Sequence, residues 1–258
     1  MSAADGPPLL NFDAPGCATI TLNRPRHLNR LHREDLLVLQ AHFATLAADT
    51  SLRAVVITGR GRAFCAGFNL KELGQAEAAG KDPQLFERTV DALEALPVPT
   101  VARLNGSVFG GATDLALACD FRIGVAGMEL RMPAARLGLH YYPSGLQRYV
   151  SRLGLASAKR LFLLAPTVPA DELLRMGYLD ALADADALDP TVQTWVQPLL
   201  EGAPLALRGM KQSLNELARG SADVATLRNR EALCAASTDL QEGLAAFEER
   251  RAARFRGL

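Results

Sequence analysis

Two glycine-rich segments carry the residue types and spacings from which a reaction site can be built. One is Gly59-Arg60-Gly61-Arg62-Ala63-Phe64-Cys65-Ala66-Gly67-Phe68-Asn69-Leu70. The other is Asn105-Gly106-Ser107-Val108-Phe109-Gly110-Gly111-Ala112-Thr113-Asp114-Leu115. Each follows an apolar run and leads into a helical pattern. Glycine lets the backbone take positive φ and lets a ligand approach the main chain. The first turn of the helix that follows has unpaired N–H groups and a positive dipole end. Two such turns placed face to face offer two donors to an oxygen that gains negative charge. Asp114 lies three residues beyond Gly111, on the same helix face, which sets its carboxylate beside that N–H. The same residues also suit a plain tight turn, and an acid in a first helical turn also simply complements the dipole. Neither segment has the G-x-G-x-x-G spacing of a dinucleotide site, the Gly-Lys-Ser/Thr of a P-loop or the G-x-S-x-G of a hydrolase elbow.

The elements that must position these turns are strands and helices in alternation. Cys17–Leu22 alternates as a strand does and is ended by Asn23-Arg24-Pro25. Arg33–Ala48 has apolar residues at helical spacing. Arg53–Gly59 is a continuous apolar run closed by glycine, which suits a strand buried on both faces. Further strands are expected at Thr100–Gly106, after a helix that stops at Pro97, and at Phe121–Val125. Strands separated by helices imply crossover connections and an α/β layered body. From Gly145 onward helical spacing dominates, broken by prolines, with one short strand expected at Tyr178–Leu182. We divide the chain into an α/β core at 1–195 and a helical C-terminal region at 196–258, joined without a linker as one unit. The arginine-rich run from Glu249 to Arg256 is expected to be a solvated helix end.

Composition narrows the function classes. The 258 residues are 49% hydrophobic and 22% charged, with Lys+Arg and Asp+Glu both at 28. A zero net charge gives no global footprint for nucleic acid or an anionic membrane. No apolar run approaches the ~18 residues of a membrane span, and the N-terminus lacks the pattern of a signal peptide. Cys17, Cys65, Cys119 and Cys234 lie far apart, so reduced thiols and a cytoplasmic setting are expected. Cys65 reads as a small packed residue rather than a nucleophile. The four histidines give no ligand spacing, and no metal is expected.

The chain resembles the crotonase family, also called enoyl-CoA hydratase/isomerase, along essentially its whole length. The resemblance runs through Leu22-Asn23-Arg24-Pro25, Val55-Val56-Ile57-Thr58-Gly59, Phe64–Leu70, Pro97-Val98-Pro99-Thr100, Asn105-Gly106 and Gly110-Gly111. It continues through Ala118-Cys119-Asp120, Met132-Pro133, Arg136–Leu139, Pro204–Leu207 and Lys211. It implies a spiral of stacked ββα units with a helical C-terminal region that builds a homotrimer or a dimer of trimers. It also implies an acyl-CoA thioester substrate and no separate cofactor, since coenzyme A arrives with the substrate. The enolate oxygen would be held by the N–H groups of Phe68 and Gly111, within a binding surface of Ala66, Gly67, Leu70, Gly110 and Pro133. Arg26, Lys211 and Phe255 match positions that meet the CoA phosphates or adenine. Asp114 matches an acid–base glutamate of the hydratases. The second hydratase glutamate would follow Pro133, and this sequence has Ala134 there. In some branches a carboxylate comes instead from the next loop. Here that loop offers His140, Tyr141 and Tyr142, an imidazole that titrates near neutrality and two phenols that can donate a proton. The expected activity is enolate chemistry of hydratase/isomerase type with Asp114 as acid/base. The alternatives are hydrolysis of a thioester or carbon–carbon bond in the same pocket, or acyl-CoA binding with weak turnover.

Overall fold

Six strands form the main sheet in the order β1 (Leu9–Ala14), β2 (Cys17–Leu22), β3 (Ala54–Gly59), β4 (Thr100–Leu104), β6 (Phe121–Val125) and β9 (Ala181–Ala183). The computed structural model describes residues 5–75 and 82–258, so the loop at 71–85, expected to shape acyl specificity, lies partly outside the described residues. All neighbours pair in parallel except the β1–β2 hairpin. Parallel pairing requires a crossover between strands. Helices α1 (Arg33–Ala48), α3 (Leu85–Glu94) and α4 (Gly111–Leu117), together with the short α2 (Leu70–Gln75), supply the first three of those crossovers, and residues 126–180 supply the last.

Side chains on a strand point alternately to its two faces, and this alternation splits the core in two. Ala18, Ile20, Leu22, Val55, Ile57, Ala102 and Leu104 join a large core with α1, α3 and α4. Cys17, Ala54, Val56, Val101 and Ile123 face the other way, onto Leu188, Val192, Val196 and Leu199 of α7 (Leu188–Glu201). The domain boundary expected at 195 therefore falls inside a helix that covers the sheet. The helices with little buried surface begin only at α8 (Pro204–Arg219), followed by α9 (Val224–Ala235) and α10 (Thr238–Glu249).

A second, small sheet of β5 (Val108–Phe109), β7 (Glu129–Arg131) and β8 (Val168–Pro169) lies beside the first. It leads into α5 (Pro143–Lys159), which starts on a proline at its first turn, and α6 (Ala170–Arg175). Cys65 and Cys119 are fully buried, Cys17 lies between sheet and α7, and Cys234 on α9 is half-buried. Among the described residues no helix is long and apolar enough to cross a membrane.

Candidate active site

The segment before Phe68 is fastened along its length. Leu31 donates to the Gly67 carbonyl and Asn69 donates to the Leu31 carbonyl, both at 2.9 Å. Ala66 donates to Leu28 at 2.8 Å on that side, and Phe109 donates to Cys65 at 3.1 Å on the other. The Asn29 amide adds bonds to the carbonyls of Arg60, Ala63 and Phe64. Because the pairing to Leu31 uses Gly67 and Asn69, the Phe68 N–H points away from it. Gly67 has φ +87°, and a Cβ there would stand 2.6 Å from the Phe109 carbonyl oxygen and 3.1 Å from the Gly111 nitrogen. The two glycine turns therefore face each other with no room for a side chain between them. Gly111 opens α4, so its N–H belongs to the first helical turn and has no partner four residues back.

These turns form one wall of a cavity of about 310 Å³. Ala66, Gly67, Phe68, Leu70, Gly110, Gly111, Pro133, His140, Tyr141 and Tyr142 all line it, as do Phe86, Glu87, Met132 and Ala134. Ala134 thus presents a methyl group to the cavity. The Phe86 ring lies 5.8 Å from that of Phe68 and 6.0 Å from that of Tyr142, measured between centroids. It also occupies the space where a Cβ on Gly111 would be, at 2.6 Å.

Asp114 is brought next to this cavity but not into it. Helix α4 is buried from Ala112 to Leu117, because its residues pack into the core on all sides. The Asp114 carboxylate has no exposed surface. Its Oδ2 accepts hydrogen bonds from the Tyr142 hydroxyl and, at 2.7 Å, from Arg148 Nη1, while Oδ1 is buried without a partner among the described residues. Asp114, expected as the acid–base group, thus stands behind Tyr142, which separates its carboxylate from the cavity. Burial pushes the Asp114 carboxyl upward against the pull of the Arg148 guanidinium. Burial also raises the Tyr141 and Tyr142 phenols well above their ordinary range, so both remain proton donors near neutrality. The two rings stack with centroids 4.2 Å apart, and Tyr141 donates to the Tyr142 oxygen at 3.2 Å. Gly145 permits this arrangement, since a Cβ there would stand 2.5 Å from the Tyr141 ring and 2.9 Å from Asp114 Oδ2.

Behind the tyrosines lies an ion network that the sequence did not announce. Arg148 bonds Glu94 through Nε at 3.0 Å and Asp91 through Nη2 at 2.8 Å. Arg152 and Arg219 also pair with Glu94. Burial alone would raise Glu94, but the charge and hydrogen bonds of Arg148, with Arg152 and Arg219, overrule it and hold that carboxyl at about 2.

The residues expected at the CoA end do not line the cavity. Lys211 is buried, its ammonium 2.8 Å from Asp120 and from the Val98 carbonyl, where it makes an internal ion pair. Phe255 lines a separate cleft with Cys234, Leu240 and Leu244. Arg26 is exposed near the start of the chain, where its backbone N–H donates to Asp5. Sequence reasoning missed Glu87, which sits in the first turn of α3 among other polar residues and gives no pattern of its own. Its Oε1 accepts from the Ser144 hydroxyl at 3.0 Å, while His140 Nδ1 lies 2.8 Å from the Tyr141 carbonyl. No group of three His, Cys, Asp or Glu side chains suited to a metal converges among the described residues.

Comparison with known proteins agrees over nearly the whole chain. The profile described as enoyl-CoA hydratase/isomerase matches residues 13–257. A crotonyl-CoA hydratase of Syntrophomonas wolfei is 31% identical over 243 residues, covering 92% of this chain and 94% of that protein. A 2,3-dehydroadipyl-CoA hydratase of Escherichia coli is 29% identical over 244 residues, covering 92% and 94%. The crystal structure of an enoyl-CoA hydratase from Bacillus anthracis superposes with a TM-score of 0.88 at 28% identity, covering 98% of this chain and all of that one.

Proposed function

The chain belongs to the enoyl-CoA hydratase/isomerase family, within the crotonase superfamily and with its fold, and from that premise we propose that it forms and quenches a thioester enolate of an acyl-CoA. The observation that carries this reading is the meeting of two glycine turns, Gly67 against Gly111, on the wall of an apolar cavity. The N–H groups of Phe68 and Gly111 bind the thioester oxygen, and the negative charge that develops there is stabilised without reorganisation. Asp114 acts on the substrate through Tyr142, whose ring lines the cavity and whose hydroxyl donates to the Asp114 carboxylate. The ring stays in place because Tyr141 stacks on it and Asp114, balanced by Arg148, anchors its hydroxyl.

Hydration of an α,β double bond needs one group to deprotonate water and a proton for the α-carbon. Ala134 supplies neither, so a double-bond shift is favoured over hydration in this reading. A panel of saturated, 2-enoyl and 3-enoyl CoA thioesters tests it by product analysis. A shifted alkene is expected. Release of free CoA assigns a hydrolase instead, and binding without turnover assigns an acyl-CoA-binding protein. In this reading the particle is a homotrimer or a dimer of trimers.

A further inference from the structure

We propose that Glu87 is the catalytic base of this pocket, a deepening that rests on the enolate reading above. Among the described residues that line the cavity, Glu87 is the one carboxylate. Asp114 is sealed behind Tyr142 and neutralised by Arg148, and Ala134 has no polar atom. The phenols of Tyr141 and Tyr142 hold their protons, so they cannot accept one near neutrality. Two proton acceptors are left on the wall, the His140 imidazole, whose Nδ1 is engaged by the Tyr141 carbonyl at 2.8 Å, and the Glu87 carboxylate beside the glycine turns.

Glu87 meets the geometric requirement. It follows Phe86, whose ring packs on Gly111 and lies beside Phe68 and Tyr142, so the first turn of α3 sits over the two facing glycine turns. Both of its hydrogen bonds end on Oε1, from the Ser144 hydroxyl at 3.0 Å and the Ser144 N–H at 3.4 Å. Oε2 accepts none among the described residues, which leaves a lone pair for a carbon-bound proton. Ser144 lies in the first turn of α5, so this carboxylate joins the start of α3 to the start of α5.

The step balances within the site. The Glu87 carboxylate takes the α-proton of a 3-enoyl thioester. The C–H electron pair moves into a dienolate whose charge rests on the thioester oxygen. The new carboxylic acid then returns the same proton to the γ-carbon, giving the 2-enoyl thioester and restoring the carboxylate. No co-reactant is consumed.

The test uses the full-length protein with 3-enoyl-CoA in D₂O, reading both the conjugated product and deuterium entering the acyl chain. Glu87→Gln keeps shape and hydrogen-bond acceptor but loses the base. It should lose roughly 10²–10⁴-fold in both readouts while still binding an unreactive thioether analogue. Glu87→Ala should regain turnover with added formate, a response that a merely structural carboxylate does not give. A folded Glu87→Gln protein that isomerises and exchanges at the wild-type rate overturns the assignment and leaves the enolate reading standing. Loss of analogue binding in Glu87→Ala without rescue by formate also overturns it, by giving Glu87 a structural part. A wild-type protein that neither shifts nor exchanges any thioester of the panel removes the enolate reading and this base together.

Discussion

At Tyr142 three demands coincide: its ring walls the cavity, its hydroxyl covers a buried carboxylate, and its backbone starts a helix. An aspartate with no exposed surface is costly to bury unless paired, and here Arg148 and Tyr142 supply the partners. The glycine opposite is equally constrained. In Gly111→Val the new side chain collides with the Phe86 ring and shifts the N–H. The loss of one oxyanion donor costs about 3 kcal/mol in the transition state, so kcat should fall by roughly 10²–10³. Steady-state kinetics on a folded variant checks this. Ala134 points to the opposite experiment. Ala134→Glu places a carboxylate on the cavity wall, and hydration of a 2-enoyl-CoA should rise above the wild-type rate in a product assay. An unchanged hydration rate would mean that the missing group is not what limits water addition.

Elements far apart in sequence are tied by charge. Glu94 near the end of α3 binds Arg148 and Arg152 of α5 and Arg219 of α8, so one carboxylate joins three helices. Its folded pKa of about 2 lies below the ordinary value of 4.5, so its stabilisation is full above pH 4.5 and fades as pH falls toward 2. At ~1.4 kcal/mol per unit this amounts to roughly 3 kcal/mol. Glu94→Gln should lower the midpoint of urea unfolding at pH 7, and the gap to wild type should close as the pH approaches 2. Equal gaps at pH 7 and pH 2.5 would remove the network from the account of stability. The sequence shows none of this, since 54 residues separate Glu94 from Arg148 and neither has a periodic signature. What was legible were elements with a period. Cys17–Leu22 and Arg33–Ala48 form as expected, and the strands expected at 53, 100 and 121 appear within two residues of their expected ends. The first strand was missed although Leu10, Phe12 and Ala14 alternate with Asn11 and Asp13, since it is an exposed edge that adds little to the core, and β5 and β8, at two residues each, are too short to show any period. The strand expected from Tyr178 starts instead at Ala181. The Tyr178 hydroxyl reaches the Thr113 carbonyl at 2.7 Å, which commits that residue to packing on α4. In the site the two glycine turns were legible, and they do face each other across the cavity wall. Glu87 was not, because its meaning comes only from the wall it shares with Phe68 and Gly111.

The whole molecule leaves its last three helices half dressed. Leu214 and Leu217 on α8, Leu233 on α9, and Leu244 and Phe247 on α10 are all exposed, Phe247 by 84%. Apolar surface on this scale fits the association face of the proposed trimer. Light scattering at micromolar concentration should therefore report a particle larger than one chain, and Phe247→Glu should reduce its mass. A wild-type monomer would contradict the assembly. The four thiols extend the same picture from space into time. A thiol reacts only as its thiolate and only when reached, and burial pushes Cys65 and Cys119 up to about 12. Each cysteine therefore clocks a different opening. Cys234 is modified in the native particle at a rate set by the C-terminal helices, and Cys17 waits for α7 to lift from the sheet. Cys65 and Cys119 wait for global unfolding, so three alkylation rates from one chain rank its layers by how often each comes undone.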